Sequence, residues 1–199
     1  MTRGLLKTPV PAVFLDRDGT LIPDPGYISN PDQVELFPKV GDAIRRINQS
    51  GYLSVLVTNQ SVVARGDIDE GGLKLIHDRL EQLLGREHAH LDAIYYCPHH
   101  PDVGIPGENL KYKIACTCRK PGLGMIERAV ADMNIDLAQS WMVGDTSTDI
   151  EMAWRAGIRS ILVGTGQGGR DGRYPLRADF EVPDLAAAVD QILDNQKTK

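Results

Sequence analysis

The sequence has only three cysteines in 199 residues: Cys97, Cys116 and Cys118. An odd number cannot all pair internally, so a disulfide framework does not suit the chain, and a reducing compartment with a thiolate metal site is expected. Positive charge is also scarce. Lys and Arg total 22 against 27 Asp and Glu, for a formal net charge of -5. A nonspecific nucleic-acid binder carries a basic surface, so that class is disfavoured. An anionic small molecule remains compatible, because a few local cations can hold a phosphate against a mildly negative background. No apolar run approaches the ~20 residues that span a bilayer. Met1 to Val10 contains Arg3 and Lys7 but no apolar stretch of signal-peptide length, which predicts a cytoplasmic protein. Internal repeats and low-complexity tracts are absent. What is present is ordinary for a globular protein: 42% hydrophobic and 25% charged residues. The length predicts a single domain over 1–199.

Short apolar runs alternate with amphipathic segments. Ala12–Leu15, Leu53–Val57, Ala93–Tyr96, Trp141–Val143 and Ser160–Val163 read as strands buried on both faces. Helical spacing is found over Val40–Gln49, Asp69–Leu84, Gly122–Met133, Thr148–Ala156 and Asp184–Leu193, with Asp184 as an N-cap. The alternation predicts an α/β fold, an open, mostly parallel, Rossmann-like sheet with helices on both sides. Ligands on such sheets bind beyond the carboxyl ends of the strands. Two segments break the pattern, 23–38 and 97–121. The second gathers Pro, Gly, Cys and His, and so long a loop is usually functional or tied down. Residues 195–199 are expected to form a frayed tail.

Polar motifs follow four of the strands. Asp16-Arg17-Asp18-Gly19-Thr20 places two carboxylates two residues apart at a strand end, aimed into one pocket. Phosphoryl transfer needs a nucleophile, a divalent cation to offset oxygen charge, and an acid for the leaving oxygen. Asp16 can be nucleophile and metal ligand. Asp18 can give its carbonyl to the metal and its carboxyl as acid, then base. Alone, Asp and Gly after a strand are also ordinary turn chemistry. Thr58-Asn59-Gln60-Ser61 offers a hydroxyl and amides, and Arg119-Lys120-Pro121 offers two cations. Gly144-Asp145 can complete a magnesium site with Asp16, since hard cations take oxygen ligands. Asp149, near a helix start, reads either as N-terminal charge stabilisation or as a support to the metal site.

The ordered set Asp16-x-Asp18-Gly19-Thr20, Thr58, Lys120 and Gly144-Asp145-x-x-x-Asp149 resembles the four motifs of the haloacid-dehalogenase phosphatases, across nearly the whole chain and with a minimal cap. The resemblance implies Asp16 as nucleophile, Asp18 as acid/base, Thr58 and Lys120 as phosphate stabilisers and Asp145 as a Mg2+ ligand.

Cys97-Pro98-His99 and Cys116-Thr117-Cys118 supply three thiols and an imidazole, a set suited to tetrahedral, structural Zn2+. His100 is the weaker imidazole candidate. Cys118 directly precedes Arg119 and Lys120, so a zinc clamp over 97–121 would fix where two cations sit. Cys-x-His and Cys-x-Cys before Arg-Lys-Pro resemble the D-glycero-D-manno-heptose-1,7-bisphosphate phosphatase group, as do Asp24-Pro25-Gly26-Tyr27, Thr58–Ser61 with Ala64–Gly66, and Tyr95–Pro101. The related histidinol-phosphatases share this scaffold. The likeness implies removal of the C7 phosphate from a heptose bisphosphate, for nucleotide-activated heptose synthesis. It also implies that Arg119 holds the remaining phosphate, and that Asp24, Pro25, Gly26, Tyr27, Asn59, Gln60 and Ser61 line the pocket. One position departs from the pattern: relatives often carry lysine after the fourth-motif aspartate, where this chain has Thr146, also expected at the pocket mouth. A histidinol-phosphate phosphatase and a zinc-stabilised binding module without catalysis are the alternative readings. The apolar faces are accounted for by one core, which predicts a monomer.

Overall fold

The structure is a computed structural model that describes residues 8–104, 106–175 and 177–197. Among these, six parallel strands form one sheet in the order β3-β2-β1-β4-β5-β6. They are β1 Ala12–Leu15, β2 Leu53–Asn59, β3 Ala93–Cys97, β4 Trp141–Gly144, β5 Arg159–Val163 and β6 Phe180–Val182. The helices are α1 Val40–Gln49, α2 Val62–Arg65, α3 Glu70–Arg86, α4 Gly124–Met133, α5 Ser147–Ala156 and α6 Leu185–Lys197.

The pleat explains the two cores. In β1, Val13 and Leu15 pack on one face, with Ile44 and Ile47 of α1, Ile76 and Leu80 of α3 and Ile192 of α6. Ala12 and Phe14 point the other way, towards Met125 and Ile126 of α4 and Met152 of α5. Successive strand side chains alternate between faces, so a sheet covered on both sides needs unbroken apolar strands, as the sequence supplies. The chain runs outward from β1 to β3, then returns to place β4 on the other flank of β1. Strand order reverses between β1 and β4, and the crevice beyond their carboxyl ends is where such sheets bind ligands.

The expected elements are all present with small shifts at their ends. Asp69 and Asp184 act as N-caps, accepting from Gly72 N–H and Ala187 N–H. Two elements went unread: α2, one turn directly after β2, and β6, three half-exposed residues on the sheet edge. The tail expectation is corrected in part. α6 continues through Lys197, because Ala188, Val189 and Ile192 keep its inner face buried and Asn195 bonds back to the Gln191 carbonyl. Thr198 and Lys199, and the leader expectation over Met1 to Lys7, lie outside the described residues.

Candidate active site

Asp16 leaves β1 at the reversal point, with its N–H bonded to the Val143 carbonyl at 3.0 Å. Its Oδ1 accepts from Arg17 N–H at 2.7 Å and lies 2.8 Å from Lys120 Nζ. Lys120 Nζ also reaches Asp149 Oδ1 at 2.6 Å, so one buried ammonium bridges two carboxylates from β1 and α5. Asn59, at the end of β2, fixes Lys120 by accepting its backbone N–H at 2.9 Å. Asp145 Oδ2 accepts from Gln167 N–H at 2.7 Å, whereas its Oδ1 is buried without a partner. Gly19, with φ of +80°, makes this crowding feasible: a Cβ there would overlap the Asp145 carboxylate.

Asp18 is gripped from behind. Arg17 donates to both of its oxygens at 3.0 Å, and Gln60 donates to Oδ2 at 2.8 Å. Gln60 also donates to Thr58 Oγ1 and accepts from Arg17. Arg17 is 1% exposed and was not anticipated as a site residue, because a charged residue between two aspartates reads as a spacer until its burial is seen.

Burial dominates the electrostatics. It raises Asp16 to about 8, with Lys120 pulling in the opposite direction and the carboxylates of Asp149, Asp145 and Asp18 adding to the rise. Burial and then Asp149 raise Asp145 to about 7. For Lys120 burial acts downwards, but Asp149 and Asp16 outweigh it and hold the group above its ordinary value. Burial, together with the charge of Arg173, lowers Arg119. Asp16, Asp145 and Asp149 present oxygens within 4.8 Å of one another. Three buried carboxylates, one with an orphaned oxygen, against a single lysine fit a hard divalent cation.

A cavity of roughly 400 Å³ opens over this centre. Its wall includes Asp16, Asp18, Asp24, Gly26, Tyr27, Thr58, Asn59, Ser61, Arg119, Lys120, Asp145 and Thr146. Pro25 and Gln60 are not on that wall; Gln60 is turned into the network behind Asp18. Thr146 is committed to α5: its hydroxyl contacts Asp149 Oδ2 at 2.5 Å and completes a capping box. Gln167, Asp171 and Arg173 also line the cavity. They come from the segment after β5, whose glycines at 164, 166, 168, 169 and 172 were the available signal of a loop held close to a ligand site.

The cysteines converge as expected. Sγ–Sγ separations are 3.5 Å for Cys97–Cys116, 3.1 Å for Cys97–Cys118 and 3.4 Å for Cys116–Cys118. His99 Nδ1 lies 3.3 Å from Cys118 Sγ and 3.7 Å from Cys97 Sγ. Ligands around tetrahedral zinc at ~2.3 Å for sulfur sit about 3.8 Å apart, so a slight expansion accommodates the ion. The imidazole in this set belongs to His99, whereas His100 Nδ1 accepts from Asp102 N–H. Arg119 donates to the His99 carbonyl at 3.2 Å, which ties this cavity-lining residue to the cluster.

A family model described as HAD-hydrolase-like matches residues 117–188. The D-glycero-D-manno-heptose-1,7-bisphosphate 7-phosphatase of Thermosynechococcus vestitus is 42% identical over 92% of this chain and 96% of its own length. The D-glycero-beta-D-manno-heptose-1,7-bisphosphate 7-phosphatase of Haemophilus ducreyi is 44% identical over 78% of this chain and 84% of its own. The chain belongs to the heptose-bisphosphate phosphatase family of haloacid-dehalogenase-like hydrolases. Its fold agrees: D,D-heptose 1,7-bisphosphate phosphatase from B. bronchiseptica, solved with magnesium and phosphate, superposes with a TM-score of 0.80 at 36% identity, over 94% of this chain and 99% of that one.

Proposed function

We propose that this member of the family hydrolyses the C7 phosphate of D-glycero-D-manno-heptose 1,7-bisphosphate, leaving the 1-phosphate for nucleotide activation. The observation that carries the chemistry is Asp16 Oδ1 paired with Lys120 Nζ at 2.8 Å, in one cavity with Asp18 and Asp145. The relatives' names carry the choice of sugar.

An Asp16 carboxylate oxygen attacks phosphorus as the ester P–O bond breaks, and the Asp18 carboxyl protonates the leaving sugar oxygen. The resulting aspartyl-phosphate is opened by water. Asp18, now the base, takes the water's proton, and Asp16 and inorganic phosphate are released. Lys120 and Thr58 hold the transferred oxygens. Asn59 sets the position of Lys120, while Arg17 and Gln60 set that of Asp18. Magnesium, held by Asp16, Asp145 and the Asp18 carbonyl with Asp149 in support, would offset phosphate charge. Zinc on Cys97, His99, Cys116 and Cys118 would be structural, because four protein ligands leave no open position.

Asp24, Gly26, Tyr27, Asn59 and Ser61 would face the sugar, and Arg119 its second phosphate. The free thiols suit a reducing, cytoplasmic setting. Both faces of the sheet are covered by the chain's own helices, which favours a monomer. Steady-state kinetics on heptose 1,7-bisphosphate and histidinol phosphate tests the reading. A kcat/KM at least 100-fold higher for the bisphosphate is expected; a preference for histidinol phosphate would overturn it.

A further inference from the structure

Beside the catalytic cavity lies a second one of roughly 550 Å³, which shares Arg119, Lys120, Thr148 and Arg173 with it. The two differ in charge. The catalytic cavity has five aspartates on its wall, Asp16, Asp18, Asp24, Asp145 and Asp171. The second cavity has three cations, Arg119, Lys120 and Arg173, and no acid among its lining residues. Lys120 is neutralised by Asp16 and Asp149. Among the described residues, the Arg119 side chain makes one hydrogen bond, to the His99 carbonyl. Arg173 makes no hydrogen bond or ion pair among the described residues.

The backbone around Arg173 is nevertheless pinned. Asp171, two residues before, accepts from both the N–H and the hydroxyl of Ser147 at 2.7 Å. Tyr174, the next residue, donates its N–H to the same hydroxyl at 3.0 Å. Further back, Gly169 and Gln167 donate to the carbonyl and carboxylate of Asp145. Arg173 is thus an unpaired guanidinium on a loop fixed to the first turn of α5 and to Asp145. A guanidinium presents a planar fork that matches phosphate oxygens.

We infer that Arg173 is a specificity-determining residue, which with Arg119 holds the second, non-reacting phosphate of the substrate in the acid-free cavity beside the catalytic centre. Thr146, whose hydroxyl is spent on capping α5, adds no charge there, and the loop after β5 supplies it instead. The inference rests on the bisphosphate reading proposed above.

The test compares wild type, Arg173→Ala and Arg173→Lys on heptose 1,7-bisphosphate and on heptose 7-phosphate. Arg173→Ala should raise KM for the bisphosphate on the order of 10-fold or more, the scale of a lost charge-assisted contact. Its kcat on the bisphosphate should stay within about twofold, and the rise in KM should be much smaller on the monophosphate, which lacks the second phosphate. Arg173→Lys should recover part of the loss, since charge returns without the fork. Unchanged KM for the bisphosphate, or equal losses on both substrates, would overturn the assignment. Should wild type not prefer the heptose bisphosphate, the same variants are run on fructose 1,6-bisphosphate and fructose 6-phosphate. A preference abolished by Arg173→Ala then supports Arg173 while the heptose reading falls; no preference for either bisphosphate overturns both.

Discussion

At the smallest scale, the proposed reaction turns on the Asp16 carboxylate. Asp16→Asn is nearly isosteric and keeps an acceptor for Arg17 N–H and Lys120, so the fold should survive. The amide cannot form the phosphoenzyme. Phosphate-monoester hydrolysis is among the slowest uncatalysed reactions, so turnover should fall below detection. Activity of a clean preparation above a few per cent of wild type would contradict that role. Thr146 supports a different kind of prediction. Its hydroxyl and N–H exchange bonds with Asp149, whose other oxygen carries Lys120. Thr146→Ala should cost about 1 kcal/mol in chemical denaturation, the usual scale of a lost cap, and should lower kcat by loosening Asp149. An unchanged denaturation midpoint and kcat would remove Thr146 from that chain of contacts.

Among the elements, the loop between β3 and α4 carries both the cysteine–histidine cluster and two cations of the catalytic cavity. The sulfurs of Cys116 and Cys118 converge with that of Cys97 at the end of β3, and the next two residues, Arg119 and Lys120, line the catalytic cavity. Purified protein should contain about one zinc per chain by elemental analysis, from the four-ligand geometry. Cys118→Ser should lower both zinc content and activity, while magnesium affinity changes little, because the fault would lie in where the cations sit. Active protein without zinc, or a Cys116–Cys118 disulfide in the active form, would contradict this. This loop was legible in the sequence because cysteine is so rare there that the two paired spacings stand out. The strand-end motifs were legible for a similar reason, since Asp16, Thr58 and Asp145 stand at the ends of buried strands, whereas Lys120 lies on the loop after β3 and was legible through its place beside the cysteine spacing. Arg17 and Gln60 were not, because only burial distinguishes a gripping side chain from an exposed one. Arg173 escaped because it sits in a glycine-rich loop without periodic pattern, brought to the site by bonds to Ser147 that no local spacing announces.

At the scale of the whole molecule, one parallel sheet gathers carboxylates from β1, β4 and α5 into a buried centre whose charge favours a cation. In the metal-free fold Asp145 stays protonated up to about 7, against 3.8 ordinarily. Its raised value means that the associated stability is complete below the ordinary value and lost as pH rises through about 7. Magnesium reverses this, since it binds the ionised ligands and displaces their protons. The rise in Tm on adding magnesium should therefore be larger at pH 8 than at pH 6; an equal or smaller rise at pH 8 would contradict the site. The same centre defines which phosphate is removed. Phosphorus NMR of the reaction on D-glycero-D-manno-heptose 1,7-bisphosphate follows both esters at once. The C7 resonance should disappear with stoichiometric release of inorganic phosphate while the C1 resonance persists, and loss of the C1 phosphate first, or of neither, would contradict the proposed reaction.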